Sequence, residues 1–370
     1  MAKVGLVFGG RSVEHLVSVQ SARTVAEGLK QAGHDVIPLG VAEDGGWVAR
    51  EKAEAALRGD VDALAPEGLP LRQTLHHLLN ADVDVVFPIV HGTYGEDGTL
   101  QGLCEMLDLP YVGANVAASA IAMDKALAKA ALVASGVPVV EHRLVTKAAF
   151  EQDPEAALRS VRELPCPVFV KPSVGGSSVG VRRVAEEAEL SEAVAFALSF
   201  HDVVLVERGI KGRELECAVL GFGALSASCI GEIVAGRDFY DYEDKYISDG
   251  AKLIAPAELD ETVAADLRKL AVDAFAAIGG DGMARVDFFL EEGGSLKERG
   301  PGAHKLYVNE INTLPGFTRI SMYPRLWGLS GLPLAELVDQ LVQLAKRRHE
   351  ARRGFDEAIR GFVDGINSRR

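Results

Sequence analysis

The chain is poor in cysteine, in aromatic residues and in positive charge, and it has no long apolar run. Each shortage removes a class of protein. Four cysteines (Cys104, Cys166, Cys217, Cys229) are scattered over 370 residues with no C-x-x-C pair. That is neither a disulfide framework nor a zinc site, and it suits a reducing compartment. No apolar stretch approaches the ~18 residues of a spanning helix. The opening residues, Met1-Ala2-Lys3-Val4-Gly5-Leu6, lead into a strand-like stretch without the apolar segment of a secretory signal, so a cytoplasmic location is expected. Thirty-nine Lys and Arg face 53 Asp and Glu, a formal net charge of -14. So acidic a chain is a poor partner for nucleic acid or an anionic membrane. An anionic small substrate would need a local cluster of positive groups.

What is present reads as a globular chain of two or three domains, with 48% hydrophobic and 25% charged residues. The first part has α/β character. A strand at Val4–Phe8 ends in Gly9-Gly10, a helical pattern covers about 18–32, and strands follow at Val36–Leu39 and Val83–Val90. A helix at 98–107 and a short strand near Tyr111-Val112 complete a doubly wound, Rossmann-like unit. A helix-rich stretch from Val116 to Gly136 leads to an α+β pattern: strands at about 139–146, 167–171, 179–184, 203–207 and 213–231, with helices near 154–163 and 186–200. An amphipathic helix at 260–278, strands at about 282–290 and 304–311, and a helix from Pro333 precede a charged helical tail.

Two stretches carry chemistry. In Lys171-Pro172-Ser173-Val174-Gly175-Gly176-Ser177-Ser178-Val179-Gly180 a lysine ends a buried strand and a Gly/Ser loop follows. Such a loop lets backbone N–H and hydroxyl donors cradle phosphate oxygens, although it is not a P-loop, because the lysine precedes the glycines. Further on, Arg285 and Asp287 share one face of a strand, and Glu310 and Asn312 share one face of the next. If these strands pair, Asp287, Glu310 and Asn312 converge as hard oxygen ligands suited to magnesium and a nucleotide phosphate.

Together with FGGRSVEHLVS (8–18) and HGTYGEDGTLQG (91–102), the stretches GGSSVG (175–180), MARVDFF (283–289) and NEINTLPGFT (309–318) resemble the D-alanine–D-alanine ligase family of the ATP-grasp superfamily. The resemblance runs from about Lys3 to about Ala345. It implies an ATP-grasp fold behind an N-terminal Rossmann-like domain, divided as 1–121 (substrate domain), 122–211 (central subdomain), 212–348 (C-terminal catalytic subdomain) and 349–370 (charged helical tail). It also implies an acylphosphate made from ATP and a first D-alanine, then attack by the amine of a second.

Position by position, the resemblance makes Lys125, Lys171 and Ser178 phosphate-binding residues. Glu207 and Ile210 lie by the base, and Glu214 holds the ribose. Asp287, Glu310 and Asn312 become ligands of two Mg2+ ions, with Mn2+ as an alternative and K+ as an activator. Arg285 and the Gly316 N–H form the oxyanion site, Glu14 binds the first ammonium, His91 positions the first substrate, and Ser321 holds the second carboxylate beside Met322. The segment 238–246 matches a closing loop whose Lys245 reaches the phosphates and whose Tyr246 bonds towards Ser177 and Glu14. Tyr246 and Met322 fit the dipeptide-forming type; D-alanine–D-lactate or D-serine ligases and other carboxylate–amine ligases are the alternatives. A homodimer is the family expectation. An NAD-dependent dehydrogenase is the rival from another class, but Gly9-Gly10-Arg11-Ser12-Val13-Glu14 lacks G-x-G-x-x-G.

Overall fold

The computed structural model describes residues 1–69, 71–234, 252–291 and 305–367. Near-continuous apolar runs become strands buried on both faces. In β1 (Lys3–Gly9), Leu6 and Phe8 enter one core while Val7 enters another. After α1 (His15–Gln31) come β2 (Asp35–Val41), α2 (Arg50–Arg58) and β3 (Val85–Pro88). The three strands form a parallel sheet of order β2-β1-β3. The strand expected over Val83–Val90 is thus shorter, and Tyr111 adds only a single bridge to Val86. Among the elements not anticipated are α2, a helix at Met322–Leu329 and a strand at Lys252–Ile254.

Helices α3 (Thr99–Met106), α4 (Val116–Met123) and α5 (Lys125–Ala134) lead to a second sheet. It contains β4 (His142–Thr146), β5 (Val168–Pro172), β6 (Arg182–Val184) and β7 (Val203–Arg208) in antiparallel order β4-β7-β5-β6, covered by α6 (Leu190–Ala197). The helix expected at 154–163 is shorter: it runs Pro154–Leu158, capped by Asp153, which accepts from Ala156 N–H, with Pro154 in its first turn, and a 3-10 turn follows at Val161–Glu163.

The third sheet has β8 (Gly212–Phe222), β9 (Ala224–Val234), β10 (Lys252–Ile254), β11 (Gly282–Glu291) and β12 (Leu306–Asn312), in antiparallel order β10-β9-β8-β11-β12. The run read as one strand over 213–231 is a hairpin, reversed at Gly223, whose φ of +78° lies in the region glycine adopts without strain. Helix α7 (Glu261–Ala277) covers one face of this sheet.

α8 (Met322–Leu329) and α9 (Leu334–Asn367) pack on the sheet and on α1. The helix expected from Pro333 and the helical tail form one continuous helix, α9. Leu337, Leu341 and Ala345 are buried in the core, and the same stripe continues as Phe355, Ile359 and Phe362, which are exposed. No described helix is long and apolar enough to cross a membrane.

Candidate active site

The three sheets meet around a cleft of about 500 Å3. Its walls contain Glu14, His91, Lys125, Lys171, Ser177, Ser178, Glu207, Ile210, Glu214, Arg285, Asp287, Glu310, Asn312, Gly316, Ser321 and Met322. Residues more than 300 positions apart in the chain are thus brought to one place. Lys245 and Tyr246 lie outside the described residues.

The glycine/serine loop is fastened to α5. Asp124 caps that helix by accepting from the N–H groups of Ala126 and Leu127, and it also accepts the Ser173 hydroxyl. Lys125 N–H donates to the Ser173 carbonyl at 2.8 Å, and its Nζ to the Gly175 carbonyl at 2.6 Å. Ser177 and Ser178 have φ of +50° and +59°, a left-handed conformation that costs a side chain about 1–2 kcal/mol per residue. Such strain in a loop of polar donors marks a site shaped for a ligand.

Lys171, at the end of β5, donates to Glu207 Oε2 at 2.5 Å. The other oxygen of Glu207 meets Lys129 Nζ at 2.5 Å. Burial alone would raise the Glu207 pKa, but the two ammonium groups outweigh it and hold the carboxyl down at about 2. Burial likewise opposes the charge of Lys171, yet Glu207 leaves its pKa raised. Lys129 was missed in the sequence. Its place one turn after Lys125 in an otherwise apolar helix is visible there, but does not say what the side chain meets.

Across β11 and β12 the register sets Asp287 opposite Glu310 and Arg285 opposite Asn312. The row expected from period-two alternation therefore exists. Two carboxylates and an amide on one face form a hard-oxygen set that fits magnesium. Arg285 grips Asp287 through both Nε (2.7 Å) and Nη2 (2.6 Å) and meets Glu216 Oε1 at 3.1 Å. Burial disfavours its charge, but these acids raise its pKa well above the ordinary value. Glu216 was overlooked, although it shares a strand face with Glu214 and stands opposite Asp287 on β8.

At the far end of the cleft, Glu14 begins α1. A Cβ built on Gly176 would lie 3.9 Å from its Oε2, so the loop after β1 and the glycine/serine loop face each other. His91 is buried and bonded on both nitrogens. Phe317 N–H donates to Ser21 Oγ (3.1 Å), which leaves the Ser21 hydroxyl hydrogen for His91 Nε2 (3.2 Å). His91 Nδ1–H then donates to the Leu314 carbonyl (3.0 Å). Burial lowers its pKa against the pull of Glu14, so the ring is neutral and braces the backbone on both sides of Gly316. A Cβ on Gly316 would stand 2.8 Å from Ser321 Oγ, so a side chain there would push that hydroxyl from its place.

Ser321 leaves the first N–H groups of α8 unbonded by its side chain, since its hydroxyl turns to Thr318 instead. Met322 lines the cleft, but its side chain is buried, with its ε-methyl against Gly231 of β9. Glu96, near Glu14, was also missed. Burial and the Glu14 charge push its pKa up to about 8, although its Oε1 accepts from Gly92 N–H at 2.6 Å.

Residues 3–114 match the family described as D-ala D-ala ligase N-terminus, and residues 132–343 the one described as D-ala D-ala ligase C-terminus. The chain is 43% identical over 347 residues to the D-alanine–D-alanine ligase of Solibacter usitatus, covering 94% of this chain and 96% of that protein. It is 44% identical over 365 residues to D-alanine–D-alanine ligase A of Salmonella typhimurium, with 94% and 97% covered. Among solved structures, the D-alanine–D-alanine ligase of Coxiella burnetii superposes with a TM-score of 0.82 at 35% identity, over 98% of this chain and 99% of that one. The VanG D-Ala:D-Ser ligase of Enterococcus faecalis gives 0.76 at 33% identity, over 93% and 99%. The fold is that of the ATP-grasp enzymes, and the chain belongs to the D-alanine–D-alanine ligase family.

Proposed function

We infer that the protein joins two D-alanines into D-alanyl-D-alanine, converting ATP to ADP and phosphate, for peptidoglycan precursor synthesis in the cytoplasm. The observation that carries this reading is one cleft in which a phosphate-type loop with lysines, a hard-oxygen row and an arginine beside a bare glycine backbone stand together.

A carboxylate and an amine do not condense in neutral water. The carboxylate of the first D-alanine must be phosphorylated, and the second amine must then attack the activated carbonyl. Glu14 would receive the first ammonium. Lys125, Lys171 and Ser178 would hold the phosphates, Glu214 the ribose, and the wall by Glu207 and Ile210 the base. Arg285 and the Gly316 N–H would face the oxyanion of the tetrahedral intermediate, where fixed donors act most strongly. Ser321 and the start of α8 would take the second carboxylate. Asp287, Glu310 and Asn312 would hold the two magnesium ions, or manganese, whose chemistry is to neutralise and polarise phosphate oxygens. Potassium activation and assembly as a homodimer belong to the same reading.

Phosphate release from ATP tests it. D-alanine should drive release and L-alanine should not; equal release with both would refute the assignment. The D-Ala:D-Ser neighbour makes the second substrate a separate question. With D-alanine, D-lactate and D-serine at equal concentration and pH 7, the D-alanyl-D-alanine product should predominate.

A further inference from the structure

The cleft floor holds a buried carboxylate shared by two lysines, and only one of those lysines is open to the cleft. Glu207 stands on β7 one diagonal step along the sheet face from Lys171 on β5, since Lys171 pairs with Leu205 and Glu207 lies two residues beyond. Lys129 approaches the same carboxylate from α5. The Lys171 side chain keeps 15% exposure on the cleft side, whereas Lys129 has 2% and Glu207 3%. Lys129 is therefore screened from any ligand in the cleft and, among the described residues, is tied to the site through Glu207.

An isolated carboxylate at this depth would be very costly, and an ammonium held as its sole partner would be hard to recruit elsewhere. With two partners the situation differs. If Lys171 turns towards a nucleotide phosphate, Glu207 remains paired. We propose that Lys129 is a positioning residue, the resident counter-ion of Glu207 that leaves Lys171 available to the phosphates of ATP. The low pKa of Glu207 agrees with a carboxylate that stays ionised throughout. The inference rests on the nucleotide reading of the cleft given above.

The test is a double-mutant cycle read by calorimetric titration of Mg-ATP, which does not depend on turnover, alongside KM values. Lys129→Met should weaken ATP binding about tenfold or more, because Lys171 becomes the only partner of a buried charge. KM for D-alanine should stay within about twofold, a split that general loosening of the fold would not give. In a Glu207→Gln background, where there is no carboxylate for Lys129 to hold, adding Lys129→Met should change ATP affinity by less than about twofold. An equal loss in both backgrounds, or parallel loss for ATP and D-alanine, overturns the proposal. Should Lys129→Met alone fail to fold, Glu207→Gln against the double variant decides by itself, and a further tenfold loss there overturns it. Failure of the ligase reading is distinguishable: wild type would then release no phosphate with D-alanine, while the ATP titrations would still report on Lys129.

Discussion

Among single side chains, Asp287 is engaged twice: it completes the hard-oxygen row and it neutralises Arg285 through two hydrogen bonds. Asp287→Asn keeps the shape and removes the charge. Turnover should fall by about a hundredfold or more, while D-alanine binding measured by calorimetry stays close to wild type; near-normal turnover would remove Asp287 from the metal set. Glu96 gives a pH prediction. Its pKa is about 8 in the folded protein against an ordinary 4.5. Between those values the folded protein keeps a proton that the unfolded chain releases, so this group lowers stability as pH rises through the window. Glu96→Gln is neutral throughout, so its Tm relative to wild type should climb from pH 5 to pH 8; a constant offset would show ordinary titration. Asp287, Glu310 and Arg285 could be read from alternation along two strands. Lys129 and Glu96 could not, because helix spacing and a glycine-rich motif say nothing about which neighbour removes them from water.

At the scale of elements, the cleft depends on loops braced by elements from other sheets. The loop from Leu314 to Ser321 is held by α1 and the end of β3 through Ser21 and His91. Ser21→Ala should lower kcat about tenfold, because the backbone around Gly316 loses its tether, with KM for ATP little changed. Ser21→Thr, which keeps the hydroxyl, should restore most of the rate; equal loss in both variants would argue for packing rather than positioning. No local pattern marks Ser21, since its partners Phe317 and His91 are remote in sequence. The hairpin at Gly223 was misread for a related reason. Apolar periodicity continues through the turn.

For the whole molecule, Arg348 of α9 ties the parallel sheet to the large antiparallel one. It donates to the carbonyls of Gly113 (2.7 Å) and Tyr111 (2.6 Å), pairs with Asp281 (2.5 Å) and stacks 4.0 Å over the Tyr111 ring. Arg348→Met strands buried acceptors and Asp281, and should cost about 3 kcal/mol in urea unfolding; a loss below about 0.5 kcal/mol would show the tie to be dispensable. The distribution of charge has a consequence for how substrate arrives. The cleft walls carry Lys125, Lys171, Arg208 and Arg285, but also Glu14, Glu207, Glu214, Glu216, Asp287 and Glu310, within a chain of net charge -14. At low ionic strength, where the Debye length reaches about 30 Å, an approaching nucleotide feels the acidic whole rather than the lysines at the floor. Added salt should therefore speed the capture of ATP, the reverse of electrostatic steering, and the nucleotide is best delivered with its charge already masked by a divalent ion.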